Sequence, residues 1–306
     1  MTTSTFNYID PAATAPWSKV DADVTSFTRV QRKRSVTNIR EASSTGAQFG
    51  VDITGFDVHH APSTAIADPS IFFSPDDTQV RSQYYPEVEA LLRAKLGPRV
   101  KKIFIFDHTV RRHDPSSPRQ PVQQVHVDQT PKAAETRVRR HLPAEEVDDL
   151  LQKRFQLINV WRPIGHAASD YPLAVIDWRT TKPEDLFKVD LLYPTRNRDI
   201  GDGNDDRGKE VLPDPAKALD TSGYEAKGET YAIAPNPEHK LYYMKDMTPD
   251  EAMFIKCFDS WGQGQPKGRE GLAALTPHTA FVDPDTPKDV KGRQSIEVRC
   301  LIFYDE

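Results

Sequence analysis

The sequence predicts a mainly β fold, a sandwich or barrel flanked by helices. Strand patterns outnumber helical patterns after residue 100, and most of them carry apolar residues on both faces. The helical patterns cluster in the first half of the chain. The 25 prolines exceed an average share and indicate many turns and extended connections, as in β-rich proteins.

The first hundred residues are expected to form an N-terminal arm and a flanking helix. Residues 1–50 are polar and rich in Ser and Thr, so only a little strand with a solvated basic face is predicted there. A strand and a loop are expected over 51–75. Apolar residues at helical spacing, ending at a glycine, predict a helix over about 84–97.

Residues 101–306 are expected to form the β core. Two helices, broken at Pro143, are predicted between Ala133 and about Arg154. A hairpin around Asn236-Pro237 is predicted over 230–245, and an apolar strand follows an N-cap signal in TPDEAMFIKCFDS. Further strands are predicted at 101–111, 122–130, 155–164, 172–180, 276–284 and 295–306.

Residues 195–229 are the least core-like part of the chain, with many Asp, Gly, Lys and Pro and few large apolar residues. A long surface loop is expected there, either a lid beside a site or a solvent-exposed insertion. No boundary in the sequence is strong enough to cut the chain in two, so a single domain over 1–306 is predicted.

Composition excludes several classes of partner. The net charge of -5 and the pI near 6.0 argue against nucleic acid, because phosphate binding needs a basic surface. No segment approaches the roughly 18 apolar residues that span a bilayer, and the first residues lack a secretory pattern. We therefore expect a cytoplasmic protein, whose two cysteines are buried free thiols.

The segment Val125-His126-Val127-Asp128 lies at the end of a predicted strand. Because side chains alternate faces along a strand, His126 and Asp128 point the same way. An imidazole and a carboxylate on one face are two of the three ligands of a 2-His-1-carboxylate iron site. Taken alone, the pattern favours a simpler interpretation, a histidine hydrogen-bonded to a neighbouring aspartate.

Two downstream residues make the metal site the better interpretation. His278 lies where a later strand starts, and Arg299 lies on the last strand. A buried guanidinium can hold the far carboxylate of a keto-acid cosubstrate through two charge-assisted hydrogen bonds. Arg293, in a loop nearer to His278, is the alternative for this role, and Arg299 has the alternative of pairing with Glu297 on its own strand face.

The strand LINVWRPI is a candidate for a wall of the cavity. Asn159, Trp161 and Arg162 are the residues expected to contact a cosubstrate or substrate, together with Tyr231 on a later strand. For Trp161 and Tyr231, ordinary packing in the core or in a hairpin is the alternative.

The runs VHVDQT…RVRRHLP, FQLINVWRPI, YYMKDMTPDEAMFIKCFDS and TPHTAFVDP…SIEVRCLIF resemble the hydroxylase/desaturase family of fungal secondary metabolism. That family is similar to the component that hydroxylates cephalosporins at the 7α position in bacterial methoxylation. The resemblance covers about residues 100–305. It implies a double-stranded β-helix, the jelly roll of cupin-like proteins.

The resemblance also implies a use of Fe(II), O2 and 2-oxoglutarate. It places the iron ligands at His126, Asp128 and His278 and the keto-acid arginine at Arg299. The expected activity is hydroxylation, desaturation or cyclisation of a small secondary metabolite by C–H abstraction.

Two alternatives stay open. A metal-dependent hydrolase or isomerase on a cupin-like barrel would need another general base and no keto acid, and a non-catalytic protein could bind small molecules on the same barrel. Neither the substrate nor the oligomeric state follows from the sequence, and a homodimer is left open.

Overall fold

Two β-sheets form the body of the protein in a computed structural model that describes residues 1–20, 24–117, 119–195 and 218–305. The strands described are numbered in chain order: β1 (Thr2–Ile9), β2 (Trp17–Lys19), β3 (Arg29–Asn38), β4 (Phe56–His60), β5 (Val100–Arg112), β6 (His126–Val127), β7 (Phe155–Pro163), β8 (Leu173–Ile176), β9 (Leu186–Pro194), β10 (Tyr224–Ile233), β11 (Leu241–Tyr243), β12 (Glu251–Asp259), β13 (His278–Ala280) and β14 (Gln294–Tyr304).

Helices cover the outside of the sheets and fill the connections. The α-helices are α1 (Ile39–Ser44), α2 (Tyr85–Leu96), α3 (Pro131–His141) and α4 (Ala144–Gln152). Short 3-10 turns occupy Ala65–Ala67, Pro69–Phe72, Trp178–Thr180 and Pro183–Asp185, and a π turn at Val80–Tyr84 leads into α2. The predicted helices at about 84–97 and on either side of Pro143 are confirmed.

The larger sheet has nine strands in the order β1-β3-β11-β8-β13-β6-β10-β9-β2, and the smaller has five, β4-β12-β7-β14-β5. No two strands that pair in the smaller sheet are consecutive in the chain, and every pairing in that sheet is antiparallel. In the larger sheet, β9 and β10 are consecutive and paired. The sheets face each other, and side chains from both share one core. This architecture is a jelly roll with flanking helices, and the predicted fold class is confirmed.

The smaller sheet is covered on both faces, which explains why every residue of β7 and β12 is buried. One face, with Leu157 and Leu301, meets the larger sheet, and the other, with Val160 and Cys300, packs beneath α2. Strands buried on both sides lack polar alternation and appear as continuous apolar runs. Both cysteines are buried free thiols, as predicted.

A buried ionic network closes one end of the smaller sheet. The Nζ atom of Lys256 is 2.7 Å from Asp52 and 2.8 Å from Asp259, and it donates to the carbonyl of Ala273 at 2.9 Å. Arg154 pairs with both carboxylates from the start of β7. The side chains of Lys256 and Asp259 are both fully buried. Each charge is therefore stabilised only by its ion-pair and hydrogen-bond partners in this network.

The predicted N-terminal arm is wrong. β1 and β3 pair over eight positions and extend the larger sheet, and β3 also pairs with β11. Phe6, Tyr8 and Val36 are fully buried in the shared core. These apolar residues alternate in the sequence with Ser, Thr and Arg residues that face solvent, so the segment as a whole has a polar composition.

The predicted hairpin over 230–245 is also wrong. β10 pairs with β9 and β6, whereas β11 pairs with β3 and β8, so the two strands lie apart in the larger sheet. The turn between them is held by Asn236, whose Nδ2 donates to Asp185 at 2.9 Å. The strands predicted at 122–130, 172–180 and 276–284 are shorter than expected.

The expected lid or insertion at 195–229 lies largely outside the described residues, which stop at 195 and resume at 218. Its last part is not a loop, because β10 starts at Tyr224 and pairs with β9. Among the described residues, no helix has the length and apolar character needed to cross a membrane.

Candidate metal centre

The two candidate histidine ligands come from β6 and β13, two short neighbouring strands in the middle of the larger sheet. β6 lies between β10 and β13, and its His126 pairs directly with His278 of β13. Directly opposed residues in an antiparallel pair project to the same face. The two imidazole rings therefore lie side by side, with centroids 4.4 Å apart.

Asp128 completes a cluster with the two histidines. It follows β6 at the period-two position, and its Oδ1 lies 3.4 Å from Nε2 of His126. One ligand atom from each of His126, Asp128 and His278 lies within 4.8 Å of the other two, and no other such cluster occurs among the residues described. Two imidazoles and a carboxylate on one side of an open space are a facial ligand set.

Backbone carbonyls orient both rings. Nδ1 of His126 lies 2.7 Å from the carbonyl of Gln124, and Nδ1 of His278 lies 3.0 Å from that of Thr276. A carbonyl only accepts, so each Nδ1 carries a proton, and Nε2 is left as the ring nitrogen available to a metal. Metal-binding histidines are commonly held in this way through their second nitrogen.

The charge states also suit metal binding. Burial, with the neighbouring His126, lowers the pKa of His278 to about 4, so its ring is neutral at pH 7. Burial alone would raise the pKa of Asp128, but the charge of Arg299 and the contacts with both histidines outweigh it and hold that pKa well below its usual range. Asp128 is therefore a carboxylate, and the neutral ring of His278 can donate an electron pair.

Arg299 lies behind this cluster rather than in the open space. Its Nε donates to Oδ2 of Asp128 at 3.2 Å and its Nη2 to Glu297 at 3.1 Å. Its Nη1 donates to Asp107 at 3.0 Å and to Thr109 at 2.9 Å. All three nitrogens of the guanidinium are thus occupied by protein acceptors. The pairing with Glu297 considered as an alternative is present.

An open cavity lies against the three candidate ligands. Arg293 is on its wall and fully buried, and its guanidinium carbon lies 5.6 Å from the ring centroid of Trp161. Its Nη1 donates to the carbonyl of Tyr171 at 2.7 Å, while its Nε has no hydrogen-bond partner among the described residues. A buried cation with an unused donor is suited to receive an anion.

Other polar residues of this wall were not predicted. Ser295 and Glu297 lie on the inward face of β14, two and four residues after Arg293, and Arg111 and Thr109 lie opposite them on β5. The Arg-x-Ser-x-Glu spacing in the sequence is a usable signal for the first three. Arg111 and Thr109 enter the site through cross-strand register, which local spacing does not reveal.

Of the four residues predicted to line the cavity, two lie at the site and two do not. Trp161 lines the cavity, and Asn159 reaches the cluster through a 2.8 Å hydrogen bond from its Nδ2 to Oδ2 of Asp128. Arg162 does not reach it, because it lies on the opposite face of β7 and donates to Tyr84 and to two backbone carbonyls there. Tyr231 opposes Val127, not His126, and packs on the apolar core.

A jelly roll with two histidines and one carboxylate at the edge of a cavity defines the 2-His-1-carboxylate class of metalloprotein. The chain belongs to the family described as "YDMC: Oxidoreductase/YMDC permease-like domain", whose model matches residues 6–303. The chain is therefore an enzyme of an oxidoreductase family, and its named relatives are fungal hydroxylase/desaturases and dioxygenases.

Two relatives illustrate the similarity. "Hydroxylase/desaturase efuI" of Hormonema carpetanum is 27% identical over 319 residues, which cover 99% of this chain and 95% of that protein. "Fe(II)/2-oxoglutarate-dependent dioxygenase nvfI" of Aspergillus novofumigatus is 30% identical over 231 residues, covering 74% and 69%. The resemblance to the hydroxylase/desaturase family is confirmed.

A solved structure shares the fold. The "iron and alpha-ketoglutarate-dependent endoperoxidase NvfI" superposes with a TM-score of 0.76 at 24% identity, over 99% of this chain and 98% of that one. A tryptophan-to-phenylalanine variant of the same protein gives a TM-score of 0.77. The nine- and five-stranded sheets described above therefore form a jelly roll already known from an oxygenase.

Proposed function

We propose that the protein is an Fe(II)- and 2-oxoglutarate-dependent oxygenase that hydroxylates, desaturates or cyclises a small secondary metabolite. The observation that carries this proposal is the convergence of His126, Asp128 and His278, with ligand atoms within 4.8 Å of one another, on the wall of an open cavity. The relatives named for Fe(II) and 2-oxoglutarate support the same interpretation of the cluster.

The residues present fit both groups. Two imidazoles and one carboxylate form the donor set of mononuclear non-haem iron, and all three lie on the wall of the cavity. The buried Arg293, with its unpartnered Nε, fits a dianionic keto acid. When bound, iron with the keto acid and O2 supplies the oxidising power that no protein side chain has.

We propose Arg293 as the anchor for the far carboxylate of 2-oxoglutarate. Arg299, the first expectation, already binds Asp128, Asp107, Thr109 and Glu297, so a carboxylate there would have to displace charged partners. Arg293 faces the cavity and has a donor to spare. The hydroxyl of Ser295, two residues along the same strand face, can donate a further hydrogen bond to the same anion.

The remaining wall is suited to a small organic substrate. Val122, Leu173 and Ala280 line the cavity beside the ligands, and Trp161 supplies a broad apolar face under Arg293. Apolar contacts exclude water and orient a substrate carbon toward the metal, while the few polar groups select its position. The protein thereby determines which C–H bond is presented.

Anaerobic titration of the purified protein with Fe(II) and 2-oxoglutarate tests the proposal. We expect a weak visible charge-transfer band that requires both additions, and succinate formation once O2 is admitted. A protein that binds the metal but forms neither the band nor succinate would instead fit the hydrolase or isomerase alternative. Binding of small molecules without metal would fit a non-catalytic protein.

The substrate can be sought through the same reaction. Candidate metabolites of the source organism should be ranked by how far they stimulate 2-oxoglutarate decarboxylation above the basal rate. Product analysis of the best candidate then separates an alcohol from an alkene or a new ring.

A further inference from the structure

Asp128 uses its two carboxylate oxygens differently. Oδ1 lies 3.4 Å from Nε2 of His126, on the side of the candidate metal position. Oδ2 points the other way, into the smaller sheet, where it accepts from Nδ2 of Asn159 at 2.8 Å and from Nε of Arg299 at 3.2 Å. One oxygen is thus free for a metal and the other is held by protein donors.

We propose that Asn159 and Arg299 form a carboxylate clamp that restricts Asp128 to single-oxygen ligation of the iron, with Asn159 as its principal positioning residue. The inference rests on the proposed function, because it concerns the same metal centre. It assigns to Asn159 and Arg299 a role in metal binding in place of the substrate or cosubstrate contacts expected from the sequence.

The fold places the clamp with little freedom. Asn159 and Arg299 are directly paired neighbours on β7 and β14, and both side chains project inward from the smaller sheet. Arg299 is fixed in turn by Asp107 and Thr109 on β5 and by Glu297 on its own strand. Donors fixed in this way hold Oδ2 in one direction, so the carboxylate cannot rotate without breaking two hydrogen bonds.

Asn159 has a buried acceptor without a hydrogen bond, a feature that does not stabilise the fold. Its Oδ1 is buried without a hydrogen-bond partner among the described residues, although every residue of β7 is buried. An apolar residue of the same size would avoid that cost at this position. The amide is therefore better explained by what its Nδ2 does for Asp128 than by packing.

Single-oxygen ligation has a chemical consequence. A carboxylate bound through both oxygens would occupy two coordination positions, whereas ligation through Oδ1 alone, with the two histidines, would leave three of six positions for other ligands. Three such positions would suffice for a bidentate keto acid and one further small molecule. Groups that orient metal ligands typically change metal affinity by about 10- to 100-fold when they are removed.

Asn159→Leu is the decisive variant, because leucine keeps the branching and the number of heavy atoms of asparagine and removes its donor. Asn236→Leu is the matched control: Asn236 is also buried and its Nδ2 donates to Asp185 at 2.9 Å, but its Oδ1 is satisfied by the backbone N–H of Glu238 at 2.9 Å. This control is paired with a carboxylate that is not part of the candidate metal cluster.

Anaerobic titration of the metal-free full chain with Co(II), followed by its visible spectrum and by calorimetry, gives affinity and coordination without relying on turnover. We expect Asn159→Leu to bind Co(II) about 10- to 100-fold more weakly and with an altered spectrum. Its metal-free melting temperature should fall less than that of Asn236→Leu. The control should retain the affinity and spectrum of the unmodified protein.

An Asn159→Leu protein with unchanged Co(II) affinity and spectrum would overturn the clamp while leaving the proposed function intact. If the unmodified protein binds neither Co(II) nor Fe(II), the metal centre itself is wrong and both proposals fail together. Should the leucine variant not fold, Asn159→Ala, which removes the same donor with less bulk, is measured against the same two criteria.

Discussion

His126 and His278 oppose each other across a single antiparallel register pair, and their ring centroids are 4.4 Å apart. The two residues are far apart in sequence but share one sheet face because β6 and β13 are neighbours. Each ring is turned by a carbonyl two residues before it, so the two Nε2 atoms face the same space. The pair alone provides two-thirds of a facial ligand set.

Replacing either histidine should remove the metal. We expect His126→Ala and His278→Ala to retain less than about a tenth of the bound iron, because the two ligands that remain hold a divalent ion poorly. Iron content after anaerobic reconstitution and desalting measures this. His60→Ala is the control, since His60 is exposed on β4 and should leave the iron content unchanged. Full iron retention in both ligand variants would contradict the assignment.

Replacing Arg293 should weaken 2-oxoglutarate binding. A charge-assisted hydrogen bond contributes about 1.5–3 kcal/mol, so Arg293→Gln should raise the dissociation constant by roughly 10- to 100-fold. The charge-transfer band of the Fe(II) protein, titrated with 2-oxoglutarate, reports the constant. Arg112→Gln is the control, because the guanidinium of Arg112 lies over the ring of Phe73 at 5.3 Å.

The comparison with Arg299 separates the two candidate anchors. Arg299→Lys keeps a positive charge near Asp128 but loses the fixed set of donors to four acceptors. It should disturb iron binding more than keto-acid binding, measured by the same two titrations. A selective loss of keto-acid affinity in Arg299→Lys, with none in Arg293→Gln, would restore the first expectation.

Removing Lys256 should destabilise the fold. Lys256→Met leaves two carboxylates, Asp52 and Asp259, to share the single cation Arg154, and Asp259 is fully buried. Breaking a buried ion pair from one side costs about 3–5 kcal/mol. Urea unfolding at pH 7 measures the loss. The double variant Lys256→Met/Asp259→Leu should recover part of it, and no recovery would indicate that lost packing dominates.

Alkaline pH should weaken the fold through buried tyrosines. Burial raises the pKa of Tyr8 to about 12, with the charges of Arg34 and Asp185 acting in opposite directions, and burial also raises the pKa of Tyr84. A group whose folded pKa is above its unfolded value of 10 contributes stability below pH 10 and loses it as pH rises toward the folded pKa.

For Tyr8 the contribution is about 2–3 kcal/mol, because each pKa unit corresponds to about 1.4 kcal/mol. Denaturant unfolding measured between pH 8 and pH 12 should show stability that falls from pH 10 upward. Tyr8→Phe should show a shallower fall over the same range. An equal slope in the two proteins would exclude Tyr8 as a source of the alkaline loss.

The sequence predicted the class of fold and the membership of the candidate metal cluster, because both depend on signals along the chain. Strand periodicity places His126 and Asp128 on one face, and the order of residues adds His278. The role of Arg299 could not be predicted in the same way. Its partners Asp107 and Thr109 come from β5, and only the register of β5 against β14 brings them into contact.

The failures have related causes. Arg162 was expected in the cavity with Asn159 and Trp161, although period two places it on the other face of the same strand. The position of Tyr231 depends on the register of β10 against β6, in which Tyr231 lies opposite Val127. The N-terminal segment carries buried Phe6 and Tyr8 among polar residues, and hydrophobicity averaged over the segment hides that alternation.

The shortness of β6 and β13 would give a metal bound at the proposed site a mechanical role. These strands have two and three residues, yet they occupy the centre of the nine-stranded sheet and are joined by a single register pair. Few backbone hydrogen bonds resist their separation, so an ion that ligates both strands acts as a cross-strand staple. Metal binding should then slow amide hydrogen exchange most at the middle of the sheet, so the exchange rate there would indicate whether the metal site is occupied.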